Sequence, residues 1–210
     1  MATLVGIDVG GTFTDLYCIE EHGGKTVLKV PSTPNDPSIG LLTALAANNV
    51  TASSIDLIVH GTTIATNAII ERKGAHCALI TTRGFRDVLE LGRRDRPSMY
   101  GLTGEQSPLI SRDFRFEVGE RMQANGEVLR ALDMDEVREL GLALKQAGVE
   151  AIVISFLHAY ANPAHEQAAA RVLEDIGADF EIIQSHAVCN ENFEFERTST
   201  AVVQGYLQPL

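Results

Sequence analysis

The chain has 210 residues, 45% hydrophobic and 21% charged, enough apolar content to bury a core across one or two domains. Its formal charge of −11, from 28 acidic against 17 basic residues, opposes attraction to phosphate backbones and anionic lipid, which argues against nucleic acid and membrane as partners. The longest apolar run, Ala151–Leu157, falls far short of the roughly 20 residues that cross a bilayer, and Leu4–Ile7 lacks the basic flank of a signal peptide, so a cytoplasmic address is expected.

Leu4–Asp8, Leu16–Ile19 and Thr26–Val30 read as short strands, with a turn at His22–Gly24, so three antiparallel strands open the fold. After the Pro-rich stretch Pro31–Pro37, the spacing of Ile39, Leu42, Leu45 and Ala46 predicts a helix capped by Ser38 and ending at Ala47. Ile55–His60 reads as a buried strand, Thr62–Arg72 as a helix closed by Gly74, and Cys77–Thr81 as the next strand, together a strand–helix–strand unit. From Arg83 to Asn125 the pattern dissolves into a surface excursion. Regularity returns where Asp133 caps a helix striped by Val137, Leu140, Leu144 and Ala147. A strand over Ala151–Leu157, a helix opened by Asn162-Pro163 and running to Ile176, and a strand over Phe180–Ile183 follow. Alternation of this kind implies a parallel sheet covered on both faces, so the fold class is α/β with an antiparallel opening. Glu194–Leu210 has helical periodicity and reads as a helix cut short. Cys18, Cys77 and Cys189 are odd in number and far apart, which predicts reduced, mainly buried thiols and neither a disulfide framework nor a zinc knuckle.

The segment richest in chemistry is Ile7-Asp8-Val9-Gly10-Gly11-Thr12-Phe13-Thr14-Asp15, between the first two strands. Adjacent glycines let backbone amides converge on an anion, Thr12 and Thr14 add hydroxyls at alternate positions, and Asp8 and Asp15 can hold a hydrated Mg²⁺. A plain hairpin turn is the bland alternative, and the string is neither a Walker A loop nor a Rossmann fingerprint. In His60-Gly61-Thr62-Thr63-Ile64-Ala65-Thr66-Asn67, a strand delivers polar residues to a helix start, which suits an anionic ligand; simple helix capping by Thr62 or Thr63 is the competing reading. Five of the chain's 13 arginines fall between Arg83 and Pro97, set either to grip carboxylate or phosphate oxygens or to pair with Asp87, Glu90 and Asp95 on a solvated surface.

These segments together resemble the hydantoinase A/oxoprolinase family, which includes N-methylhydantoinase, 5-oxoprolinase and the ATP-using subunits of acetone and acetophenone carboxylases. The likeness runs through GIDVGGTFTD, HGTTIATNAIIERKGA, ITTRGFRDVLELGRRDRP, AIVISFLHAY with NPAHE, and FERTSTAVVQGYL. It implies an actin-like ATPase (ribonuclease H-like) subdomain over 1–82, the excursion over 83–125, a parallel α/β unit over 126–193, and a helix over 194–210 leading to a second ATPase domain. The implied chemistry is ATP-dependent activation of a cyclic amide, lactam or ketone carbonyl by phosphorylation, for hydrolysis or carboxylation, with Mg²⁺ or another divalent cation. Carried over by position, Asp8 binds the metal and, with Thr12, acts in catalysis, while Gly10, Gly11, Thr12, Thr14 and Asp15 surround the phosphates. His60, Thr62, Thr63, Asn67, Arg93 and Arg96 are placed toward the substrate. Family members are longer and carry a second DxGGT-like loop and an adenosine-binding segment; DxGGT occurs once here. A partner chain or downstream domain, with a hydantoinase B-type subunit as a further partner, is therefore expected to complete the site, and the chain alone to turn over little ATP. A sugar or acetate kinase of the same superfamily and a non-catalytic assembly subunit are the rival readings.

Overall fold

A computed structural model describes residues 3–20, 22–33, 36–48, 50–93, 107–177 and 179–209. The chain divides into two compact units, Met1–Lys73 and Gly74–Leu210.

The first unit is built on β1 (Leu4–Val9), β2 (Phe13–Ile19), β3 (Lys25–Pro31), α1 (Pro37–Ala47), β4 (Leu57–Thr62) and α2 (Ile64–Ile70). Its sheet has the order β3-β2-β1-β4, with β1–β2 and β2–β3 antiparallel and β1–β4 parallel. Side chains alternate between the faces of a strand, so the register sorts the residues into two sets. One set, Val5, Ile7, Val9, Leu16, Cys18 and Val30, packs with Ala44 of α1 into a buried core. Asp36, rather than the expected Ser38, caps α1: its carboxylate accepts the Ser38 N–H at 3.0 Å, and Pro37 fills the first helical position, where a missing N–H costs least. The other face carries the rungs Lys29–Asp15–Asp8–Gly61 and Val27–Tyr17–Gly6–Val59.

In the second unit, β5 (Cys77–Thr82), α3 (Val88–Leu91), β6 (Arg115–Val118), β7 (Arg121–Met122), β8 (Val128–Arg130), α4 (Met134–Gln146), β9 (Ala151–Ser155), α5 (Ala164–Glu174), β10 (Glu181–Gln184), α6 (Ser185–Val188) and α7 (Glu194–Leu207) follow in order. A fully parallel sheet, β10-β9-β5-β6, forms the centre, and β7 and β8 make a separate hairpin. Ala78, Ile80, Ile152 and Ile154 pack against Val137 and Leu144 of α4 and Ala169 and Leu173 of α5. Beneath α7, Gly205 lies so close to β9 that a Cβ there would sit 2.8 Å from Val153 Cγ2.

Two further expectations are corrected. Ile55–His60 is expected as a buried strand, yet every residue of β4 is exposed: it lies at the edge of its sheet beside β1 and contributes no residue to the core packed against α1. The strand–helix–strand unit proposed for 55–81 is not one sheet: β4 joins β1, whereas β5, buried at all six positions, pairs with β6 and β9. Apolar runs specify that a strand forms without naming its neighbour. The excursion also hides β6 and β7, whose short runs mix Arg and Glu with single apolar residues, and the β7–β8 hairpin closes just beyond it. The expected class stands: three antiparallel strands and a parallel fourth open the ribonuclease H-like sheet of the actin-like ATPase fold, and a parallel α/β unit follows. Among the described residues, no helix is long and apolar enough to cross a membrane.

Candidate functional site

Three residues, Gly10, Gly11 and Thr12, join β1 to β2. Gly10 N–H donates to the Phe13 carbonyl at 3.0 Å; among the described residues, no backbone acceptor takes the N–H of Gly11 or Thr12. Neither glycine has a positive φ, so their need is for space. A Cβ on Gly10 would stand 3.0 Å from the Phe13 carbonyl oxygen, and one on Gly11 would stand 3.2 Å from Asn67 Nδ2. The turn is tied to the chain leaving β3: Ser32 N–H donates to the Thr12 carbonyl at 2.9 Å, and Ser32 Oγ donates to the Gly10 carbonyl at 2.7 Å.

Thr12 is exposed, but Thr14 is fully buried on the α1 face, its hydroxyl sharing a 2.9 Å hydrogen bond with Ser32 Oγ. The strand alternation that buries Leu16 buries Thr14 as well, so Thr14 braces the turn from beneath through Ser32. Asp8 and Asp15 stand directly opposite each other on the other face, with Gly61 on the far side of Asp8. They border a hollow of about 340 Å³ lined also by Gly6, Tyr17, Val27 and Val59. Lys29 Nζ lies 2.9 Å from each Asp15 carboxylate oxygen, while no described residue hydrogen bonds to or pairs with the Asp8 carboxylate.

The second motif meets the turn through its last residues. Thr63 N–H and Thr62 Oγ1 both donate to the Val9 carbonyl, at 3.2 and 3.4 Å, and Asn67 Nδ2 donates to Thr63 Oγ1 at 3.4 Å. Thr63 and Asn67 therefore stand beside the glycines. His60 and Thr62 point to the α1 face, where they line a separate hollow of about 200 Å³ with Val9, Pro37, Ser38, Leu41 and Ile64. Thr62 Oγ1 also accepts the Ile64 N–H at 3.3 Å, while Thr63, at the N-cap of α2, makes no side-chain capping bond. The structure thus brings Asp8, Asp15, Gly10, Gly11, Thr12, Thr63 and Asn67 together and sends Thr14, His60 and Thr62 to the opposite face.

Arg93 belongs to the second unit and pairs through Nε with Glu196 Oε1 at 2.6 Å. A hydrogen bond from its own backbone N–H and then the Arg93 guanidinium hold the Glu196 carboxyl below the usual range. Arg83 likewise pairs with Glu136, and the stretch's Asp87 is taken by Arg112 from outside it. Arg96 lies outside the described residues. Ser32 and Lys29, which brace the turn and Asp15, escaped the sequence reading; only the β2–β3 register, Phe13 opposite Pro31 and Asp15 opposite Lys29, reveals them. Among the described residues, no three His, Cys, Asp or Glu side chains are grouped to hold a metal without further ligands.

A glycine turn whose Gly11 and Thr12 amides have no backbone partner among the described residues, with a carboxylate beside it, stands on the sheet of an actin-like ATPase fold. Residues 4–177 match the family model of the hydantoinase/oxoprolinase N-terminal region, and the chain belongs to that family. An uncharacterised protein of Methanocaldococcus jannaschii is 40% identical over 100% of this chain and 32% of its own length. Among solved structures, nucleotide-free acetone carboxylase superposes with a TM-score of 0.86 at 29% identity, over 98% of this chain and 32% of that one. The ATP-dependent caprolactamase of Pseudomonas jessenii superposes with a TM-score of 0.83 at 32% identity, over 98% and 31%. The chain therefore spans about a third of the length of these relatives.

Proposed function

We propose that the chain supplies the first phosphate loop of an ATP-dependent enzyme that activates the carbonyl of a cyclic amide, lactam or ketone by phosphorylation, for hydrolysis or carboxylation. The observation that carries this reading is the Gly10–Gly11–Thr12 turn, where, among the described residues, the Gly11 and Thr12 amides and the nearby Asp8 carboxylate have no partner. The residues fit the absent nucleotide and cation: the missing Cβ atoms leave a cradle for phosphate oxygens, and a lone carboxylate is the sort of ligand Mg²⁺ takes together with phosphates. Bound ATP supplies the phosphoryl group, and its divalent cation neutralises the terminal oxygens.

The chain's own part is positioning and charge, which dominate phosphoryl transfer. Gly11 and Thr12 N–H groups hold the phosphates, the Thr12 hydroxyl reaches the terminal ones, and Asp8 orients the cation. Asn67 and Thr63 wall the turn, while Ser32 and Thr14 keep it from collapsing. A second phosphate loop and an adenosine-binding segment come from polypeptide beyond α7 or from a partner, with a hydantoinase B-type subunit as a further partner. Kinship with relatives named for acetone carboxylation and caprolactam hydrolysis supports the ketone and lactam classes. ADP release should be measured against hydantoins, lactams, ketones and sugars, with the chain alone and with the completing polypeptide added. The reading expects hydantoin-, lactam- or ketone-dependent release only in the completed assembly, lost in Asp8→Asn. Sugar-dependent release, or turnover by the chain alone that survives Asp8→Asn, would overturn it.

A further inference from the structure

Asp8 and Asp15 occupy directly opposed positions on neighbouring antiparallel strands, and like charges so placed repel. Among the described residues, only Asp15 has a counter-ion. Lys29, in the same rung but one strand further across on β3, puts its ammonium 2.9 Å from both oxygens of Asp15 and 5.2 Å from the centroid of the Phe13 ring. Phe13 and Asp15 therefore hold Lys29 from two sides, the ring by its negative face and the carboxylate by its charge. The pair is about half exposed, with side chains 56% and 44% accessible, so it adds little to stability. Its effect falls instead on the composition of the site: two carboxylates stand side by side on one face of the sheet, and the Lys29 ammonium lies against both oxygens of one of them.

We propose that Lys29 is the specificity-determining residue of the cation site: by holding Asp15 it leaves Asp8 as the single open carboxylate, so that a divalent cation binds only when it arrives with phosphate. The inference rests on the nucleotide reading above. Two carboxylates free to converge from opposite strands form a cation site in their own right, whereas one carboxylate relies on phosphate oxygens and water for the remaining ligands of an octahedral ion. Lys29 thus acts through Asp15 as a positioning residue, and it ties cation loading to nucleotide loading.

The test is Mn²⁺ titration followed by electron paramagnetic resonance, with no nucleotide present, on the wild-type chain, Lys29→Met, Lys29→Gln and Lys29→Met/Asp15→Asn. Circular dichroism checks that each variant is folded. Both single variants should bind Mn²⁺ at least tenfold more tightly than wild type, and the double variant should return to the wild-type level. Single variants no tighter than wild type, or a gain that persists in the double variant, overturn the proposal. Failure of the nucleotide reading has a separate signature: Mn²⁺ with ATP binds wild type no better than Mn²⁺ alone, whatever Lys29 does.

Discussion

The side-chain amide of Asn67 stands against the backbone of Gly11, with its Nδ2 3.2 Å from where a Cβ on that glycine would lie. The contact joins the two motifs of the first unit, since Gly11 sits in the β1–β2 turn and Asn67 in α2. Replacing Gly11 with Val forces Asn67 aside and fills the cradle. Because Gly11 is exposed, the cost falls on ligand binding: affinity for Mg²⁺–ATP in the completed assembly should drop at least tenfold, while the melting temperature of the chain shifts by only a few degrees. Isothermal calorimetry and a thermal melt read the two effects separately.

Gly205 gives the converse case. A Cβ there meets Val153 Cγ2 at 2.8 Å inside the contact between α7 and β9, where no solvent route relieves the overlap. Gly205→Ala gains intrinsic helix propensity, yet overpacking a filled interior costs about 1–3 kcal/mol. Urea denaturation should show the variant less stable; a more stable protein would mean that the interface yields.

Arg197 is fully buried, and its guanidinium donates to the Phe156 carbonyl at 3.0 Å, the Glu191 carbonyl at 2.8 Å and Ser185 Oγ at 3.2 Å, besides pairing with Glu194. Nearby, the buried Glu166 accepts from Phe156 N–H, Ser185 Oγ and both His186 N–H and Nδ1. Arg197→Met matches the volume but strands these acceptors, and truncating one member of a buried charge network costs about 3–5 kcal/mol. The urea midpoint should fall accordingly, without the loss of helix content expected if α7 unfolded alone.

Burial, followed by the nearby Glu150, pushes the Cys77 thiol from its ordinary 9.0 up to about 12. The folded chain therefore keeps a proton that the unfolded chain releases above pH 9.0. Stability from this group is complete below that pH and declines as pH rises toward 12. Denaturation midpoints measured across that range should fall with pH, and a Cys77→Ala variant should fall less steeply.

Much of this architecture could be read from the chain. The strong periodicity of Val137, Leu140 and Leu144, the apolar run at Ala151 and the glycine pair after Asp8 each carry a local signal, and each forms the element expected of it. What stayed hidden was pairing. Nothing local distinguishes exposed β4 from buried β5, because Leu57-Ile58-Val59 and Ala78-Leu79-Ile80 are equally apolar; the difference lies in packing, since β5 is central in its sheet and Ala78 and Ile80 enter the core under α4 and α5, whereas β4 is an edge strand that adds nothing to the core beneath α1. The same ignorance of register placed Thr14 beside Thr12 in expectation, although alternation sends Thr14 inward, and it concealed Lys29, which is 14 residues from the aspartate it holds.

The most direct test of the central claim is a titration of ¹⁵N-labelled chain with Mg²⁺–ATP, followed by two-dimensional amide spectra, which detect even the weak binding of half a site. The Gly11 and Thr12 amides should move furthest and saturate, and Asp8→Asn should abolish the movement. If those two resonances stay fixed at saturating nucleotide, or move identically in Asp8→Asn, the turn between β1 and β2 is not a phosphate loop.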